Sequence, residues 1–368
     1  MVSSGPVGVG IIGAGVISRQ YIANLVQFPD VRVLFVADLD VERAAALAAE
    51  HGVAGSGTVA ELLAIDEIEI VVNLTIPAAH VEVGLQILAA GKNVWAEKPF
   101  ALDRDGGREL LAAADARGLR VASAPDTFLG SGLQTAQRLV DSGAIGTPVT
   151  AYAAFQSPGP ESWHPNPAFL FDRGAGPLFD MGPYYITALV QLLGPVARVS
   201  AVSSTSRATR VIGSGPNAGT EFPVNVPTHH AALLEFESGA SAQATFSFQA
   251  LRSHEPTIEV AGTGGVISLP DPNTFIGSTT LWTDDPTSAT EVPATGSSFS
   301  RGTGVVELAR AIRAGVPERA SGSRAFHVLD VMVSIAEAAA SGVPVVIEST
   351  TTQPAALAED WDPSAATL

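Results

Sequence analysis

Cysteine is absent from the 368 residues. Disulfides, thiol nucleophiles and thiolate metal sites are therefore excluded. Aromatic residues make up only 6%, and no block of lysine or arginine occurs. With a formal net charge of −17, nucleic acid and anionic membrane surfaces are poor partners. No apolar run reaches membrane-spanning length free of charges and loop residues. The start, MVSSGPVGVGIIGAG, lacks a basic segment ahead of its apolar run. No signal peptide is expected, and the protein should be cytoplasmic. No G-x-S-x-G or H-E-x-x-H motif occurs, and no metal constellation is apparent. His229 and His230 are neighbours on a predicted strand, so they face opposite sides and cannot easily share an ion.

What is present is apolar bulk. Hydrophobic residues are 46% of the chain, and the length suits two domains, each with a core. Residues 1–125 alternate strand and helix: strands at 7–12, 31–37, 68–74, 93–96 and 119–123, helices at 16–26, 41–51, 78–90 and 104–117. This βαβ rhythm predicts a parallel, doubly wound sheet with its ligand crevice at the carboxyl ends of the strands. After 125 the rhythm changes. Helices at 131–142 and 177–193 accompany alternating strands at 148–156, 196–204, 228–236, 241–248, 256–261 and 265–269. They predict an α+β domain, 126–350, with one large, mostly antiparallel sheet. Residues 207–225 and 284–303 read as long loops. Helices at about 303–314 and 324–341 close the chain, and the tail 351–368 is expected to be extended or frayed.

Gly13-Ala14-Gly15-Val16-Ile17-Ser18 lies where the first strand turns into the first helix. Gly13 permits a tight turn. Gly15 lets backbone approach a pyrophosphate seated on a helix N-terminus. Serine stands at the third position of the pattern. Asp38, at the end of the second strand, suits the adenosine ribose hydroxyls and would repel a 2′-phosphate, so NAD is favoured over NADP. Arg43 either covers the adenine or is an exposed helix arginine.

The run WAEKPF ends a buried strand with Glu97, Lys98 and Pro99. Lysine is costly to bury, and proline fixes the chain direction and tolerates a cis bond. Further on, GPLFDMGPYY puts Asp180 and Tyr184 four apart, on one helix face. Gly182 between them would let a cofactor ring approach.

Together these motifs resemble the glucose–fructose oxidoreductase, inositol dehydrogenase and rhizopine-catabolism (Gfo/Idh/MocA) family. GIIGAGVIS, AEKP, PAAHVEVGLQILAAGKNV, LVDSGAIGTP and D-x-G-x-Y carry the likeness over nearly the whole chain. The resemblance implies a Rossmann NAD(P) domain and an open-sheet α/β domain, with homodimers or homotetramers formed through that sheet. It implies hydride transfer between NAD(P) and a sugar or polyol CH–OH. Lys98, Asp180 and Tyr184 then stand at the reacting carbon. Tyrosine at 184 is similar to the branches that act on aldoses and dihydrodiols; inositol dehydrogenases carry histidine.

On that reading Tyr184, with an unperturbed pKa of about 10, exchanges the hydroxyl proton with help from a nearby cation. Lys98 bonds the reacting oxygen, Asp180 orients the substrate, and Glu97 orients the lysine and the cofactor ribose. Thr75, Ile76, Pro77 and His80 flank the cofactor. Trp163 and His164 would meet the sugar, and Arg173 would bind a substrate anion or pair with Asp172. Asp126 and Phe128 are expected to line the crevice. Thr127-Phe128 stands where the family often has arginine–phenylalanine, against an anionic substrate. Two other functions share this scaffold: an NAD-dependent glycosidase using transient oxidation, and a dinucleotide-sensing regulator.

Overall fold

The computed structural model describes residues 4–255, 257–283, 285 and 287–368. Pro256, expected to open a strand, and residues 284 and 286, expected in a loop, lie outside them. The chain forms two compact units. The first comprises the residues up to Ser131 together with Thr295–Phe326 and Leu357–Leu368; the second comprises Gly132–Ala294 and His327–Ala356.

The first unit is built on a six-stranded parallel sheet ordered β3-β2-β1-β4-β5-β6. Its strands are β1 (Val7–Ile12), β2 (Val31–Ala37), β3 (Gly55–Gly57), β4 (Ile70–Asn73), β5 (Asn93–Ala96) and β6 (Val121–Ser123). Every residue of β1 and β4 is buried, as expected of strands covered on both faces. The helices are α1 (Ser18–Leu25), α2 (Val41–Glu50), α3 (Val59–Leu63), α4 (His80–Ala89) and α5 (Arg104–Asp115). Thr58 and Glu61 form a capping box that starts α3, satisfying two backbone donors reciprocally. Neither β3 nor α3 was expected from the sequence. The glycine-rich GSG strand carries no apolar alternation.

The second unit begins with α6 (Ser131–Asp141), whose first residue lies at the boundary. Its strands are β7 (Pro148–Gln156), β8 (Val196–Ser204), β9 (Thr209–Val211), β10 (Glu221–Pro223), β11 (His229–Phe236), β12 (Ser241–Ser247), β13 (Thr257–Gly262), β14 (Val266–Ser268), β15 (Thr279–Trp282), β16 (Thr290–Val292) and β17 (Val345–Val346). Nine of them form one sheet, β16-β15-β14-β13-β7-β12-β11-β8-β17. All its pairings are antiparallel except β7 with β12. Helix α7 (Gly176–Leu193) is buried along most of its length and packs on β7, β11 and β12. The opposite face shows exposed Val202 and Leu233. The β9–β10 hairpin occupies part of the expected 207–225 loop, and β16 part of the 284–303 loop. His229 is half-buried and His230 buried, on opposite faces of β11.

Helices α8 (Thr303–Ala314) and α9 (Gly322–Ser341) follow. Helix α8 belongs with the first unit. Gly304 lies against the Trp95 ring, where a Cβ would come within 2.0 Å of a ring carbon. The tail is extended, as expected, but not frayed. Buried Asp30 accepts from the Thr367 hydroxyl at 2.6 Å and from the Leu368 N–H at 3.1 Å, and pairs with Arg310 at 2.7 Å. Arg310 also donates to the Asp362 and Ala365 carbonyls and lies over the Trp361 ring.

Candidate active site at the carboxyl edge of the parallel sheet

Strand register assembles the edge. Ala37, Ile12, Asn73, Ala96 and Ser123 lie side by side across β2, β1, β4, β5 and β6. Asp38, Gly13, Leu74 and Glu97 are therefore the first residues to leave adjacent strands. Four motifs spread between Gly13 and Glu97 of the sequence come to one rim by sheet pairing.

Gly13 has φ +104°, and a Cβ there would meet the Leu74 carbonyl oxygen at 2.6 Å. Both facts demand glycine. A Cβ on Gly15 would meet nothing within 4 Å, so space is open where a pyrophosphate would approach. Ser18 is buried, and its hydroxyl donates to the Gly15 carbonyl at 2.6 Å. The serine in the glycine pattern thus braces the turn. No side chain caps the N-terminus of α1, which leaves its backbone donors for an anionic ligand.

Asp38 is buried, yet its carboxylate accepts from Ala14 N–H at 2.6 Å, Asp40 N–H at 2.9 Å and the Arg43 guanidinium at 2.6 Å. Burial pushes this carboxyl up, but those bonds outweigh it and hold the pKa below the usual range. Arg43 is therefore paired with Asp38 at the rim. Val16, Ile76 and Leu39 are exposed around the same edge, Leu39 completely. Leu39 escaped the sequence reading because it looks like any apolar residue near a strand end. Open space at Gly15, an ionised carboxylate at the end of β2 and bare apolar side chains fit a dinucleotide.

Lys98 is half-buried and precedes Pro99 through a cis bond. Glu97 is buried. Its carboxylate accepts from the Tyr21 hydroxyl at 2.7 Å and from the Lys98 N–H at 3.0 Å. Trp95 Nε1 in turn donates to the Tyr21 oxygen at 3.2 Å. Glu97 thus shapes the Lys98 backbone from beneath.

Thr75 and Ile76 form the turn after β4, and Pro77 opens a short 3-10 segment, Pro77–Ala79. His80 does not reach a ligand surface. It is 1% exposed, and its two ring nitrogens face the Pro99 and Thr75 carbonyls. Asn73, overlooked in the sequence, ties the same turn together; its signal was a lone amide in the buried run IVVN.

Asp126 needs a correction. It was expected to line a crevice and is 0% exposed. Its carboxylate accepts from Gly302 N–H at 3.0 Å and Gly304 N–H at 3.2 Å, at the start of α8. It caps a helix from outside that helix. Burial raises its pKa to about 6, against the opposing pull of Arg301. Phe128 is likewise buried, under the Arg324 guanidinium.

In the second unit Asp180 is half-buried and Tyr184 buried, both on α7. Gly182 serves packing; a Cβ there would meet Met332 of α9 at 3.2 Å, not an open cofactor face. Trp163, 67% exposed, His164 and exposed Phe169 form an edge-to-face aromatic series. Buried Arg210 anchors this loop by pairing with Glu161 and donating to the Pro158 carbonyl at 2.7 Å. Arg173 is exposed, and its backbone N–H donates to Asp172.

Comparison with known proteins agrees with this layout. Residues 7–124 match a family model described as an oxidoreductase family with an NAD-binding Rossmann fold. Residues 133–268 match the GFO/IDH/MocA C-terminal domain. The chain belongs to the Gfo/Idh/MocA family. It is similar to inositol 2-dehydrogenase 3 of Saccharopolyspora erythraea, 27% identical over 271 residues, covering 72% of this chain and 74% of that one. It is 31% identical over 239 residues to dTDP-3,4-didehydro-2,6-dideoxy-alpha-D-glucose 3-reductase of Streptomyces antibioticus, covering 62% and 68%. A levoglucosan dehydrogenase solved with NADH and L-sorbose shares the fold, with TM-score 0.81, 20% identity and coverage of 94% and 100%. This Gfo/Idh/MocA protein is an oxidoreductase, and hydride exchange between a CH–OH group and NAD(P) is the chemistry its family supports.

Proposed function

We propose that this enzyme oxidises a hydroxyl of an uncharged sugar, sugar derivative or polyol with NAD in preference to NADP. The carrying observation is Asp38. A carboxylate held ionised at the end of β2 accepts ribose hydroxyls and repels a 2′-phosphate. Gly13, Gly15, Val16 and Ile17 would hold the pyrophosphate, and Thr75, Ile76 and Pro77 the nicotinamide side. Arg43 keeps Asp38 charged and borders the adenine. Bound NAD supplies the hydride acceptor.

Lys98 hydrogen-bonds the reacting oxygen, where its positive charge favours the alkoxide. Tyr184 accepts the hydroxyl proton, and Asp180 orients the substrate. Trp163 offers its exposed ring to a pyranose face, with His164 beside it for a hydroxyl. Arg173, expected to bind a substrate anion or pair with Asp172, is exposed, with its backbone N–H on Asp172, and an uncharged substrate asks no anion contact of it. The first unit serves cofactor binding, and the second serves substrate binding and association. Its uncovered sheet face, with Val202 and Leu233, favours a homodimer or homotetramer.

The test is NADH formation from NAD across aldoses, cyclitols, sugar acids and glycosides, with NADP in parallel. Lys98→Met should lower kcat/KM by roughly 10²–10⁴-fold, the usual range for a lost acid–base partner. Faster turnover with NADP would overturn the role of Asp38. Glycoside cleavage without NADH release would move the assignment to transient-oxidation hydrolysis. Dinucleotide binding without turnover of any of these would favour a sensor.

A further inference from the structure

We propose that Asn73 and His80 form a latch that positions Lys98 by fixing the turn after β4 against the turn after β5. The inference rests on Lys98 being the residue at the reacting oxygen. Asn73 is fully buried at the end of β4. Its Nδ2 donates to the His80 carbonyl at 3.1 Å. Its Oδ1 accepts from the Thr75 hydroxyl at 2.7 Å and from the Thr75 N–H at 3.3 Å. The amide thus holds both the turn and the first residue of α4. The His80 ring completes the bridge. Nδ1 lies 2.8 Å from the Pro99 carbonyl oxygen, and Nε2 lies 2.9 Å from that of Thr75. One side chain therefore spans from Thr75 to the residue that follows Lys98.

The chemistry of imidazole makes this bridge conditional. A neutral ring has one N–H and one lone pair. It can donate to one carbonyl only, and its other nitrogen then faces an acceptor. The imidazolium donates to both. Burial drives the ring toward the neutral form and outweighs the two carbonyls and Glu97, which draw it back. The Lys98 charge also opposes protonation, so the pKa lies below the usual imidazole value. Glu97 lies after β5 and Lys98 next to it, so the groups acting on the latch are those of the site itself. A protonated His80 holds both turns, and a neutral one releases one of them.

The sequence offers a direct readout. Lys92 and Lys98 are its only two lysines. Lys92 is buried, with its amine on the Ile65 and Ile68 carbonyls. Acylation by dilute acetic anhydride over a pH series, read by peptide mass spectrometry, compares Lys98 with Lys92 in one molecule. Lys92 reports on folding. This arm needs no substrate, so failure of the latch and failure of the catalytic assignment are distinguishable.

In His80→Ala and Asn73→Ala, Lys98 acylation should change at least threefold at fixed pH while Lys92 stays protected. The pH profile of Lys98 reactivity should lose its His80 inflection in His80→Ala. The double variant should be no worse than either single one, since the two residues act as a unit. In turnover, kcat should fall tenfold or more, with the NADH dissociation constant within threefold of wild type. Unchanged Lys98 reactivity in a variant with Lys92 protected overturns the proposal. So does weaker NADH binding with kcat intact, which would make His80 a cofactor support only. If His80→Ala exposes Lys92, His80→Gln decides at a pH below the His80 inflection of the wild-type profile, since it keeps one of the two bonds the imidazolium makes. An intermediate Lys98 rate supports the latch, and a wild-type rate refutes it.

Discussion

Asp126 shows how one buried carboxyl writes itself into the pH dependence of the protein. Its unfolded pKa is about 3.9, and burial raises the folded value to about 6. Below pH 4 both states hold the proton, and the contribution to stability is complete. As pH rises toward 6 the unfolded chain ionises first, so stability falls; above 6 the loss is constant. The two-unit gap corresponds to about 3 kcal/mol. Urea unfolding should show the wild-type advantage over Asp126→Asn shrinking by about that amount between pH 4 and pH 7. A flat difference would mean that Gly302, Gly304 and Arg301 already compensate the charge. At this scale the sequence was partly legible. Gly13, Asp38 and Lys98 could be picked out because glycine, carboxylate and lysine are conspicuous at the ends of apolar strands, and the structure places all three at the carboxyl edge. Asn73, Tyr21 and Asp126 did not. Their partners come from the pairing of strands and helices, and the cap on α8 joins residues 176 apart.

Among the elements, long periodic segments were read correctly, and the short strands β5, β6 and β14 were found too, while β3, α3, β9, β10 and β16 were missed. Strands β1, β2, β5, β7 and β8 match their expected spans. The β9–β10 hairpin was taken for loop because three-residue strands with exposed ends carry no alternation to detect. Helix α8 tests packing against propensity. Gly304→Ala should gain up to about 1 kcal/mol in intrinsic helix preference. The Cβ would nonetheless sit 2.0 Å from the Trp95 ring, and overpacking of that kind costs about 1–3 kcal/mol. Thermal unfolding should therefore occur at lower temperature in the variant. A higher melting temperature would show that Trp95 and its bond to Tyr21 yield easily. A drop in activity with it would tie α8 packing to the Glu97–Lys98 turn.

For the whole molecule, the alternating strands of the second unit bury one face of the nine-stranded sheet under α7 and leave Val202 and Leu233 bare on the other. Scattered apolar residues are normal on a surface, but here they share a broad sheet face with small neighbours, Ser200, Ala231 and Thr245. A second copy would cover them. Leu233→Lys should shift the sedimentation-equilibrium mass of an oligomer toward the monomer and leave the folded circular dichroism spectrum intact. A wild-type chain that is monomeric at micromolar concentration removes the basis for that arrangement. The sequence conveyed two units but not that the first is made of three separate stretches, because a connection of that length leaves no local mark.

The bonds from Asp30 to Thr367 and Leu368 join residues 337 and 338 apart. At a typical synthesis rate of about 5–20 residues per second, the ribosome needs roughly 17–67 s to deliver the second partner after the first. The opening of the dinucleotide unit therefore emerges early yet lacks these partners until Thr367 and Leu368 are made. Until then part of the surface around Asp30 stays uncovered.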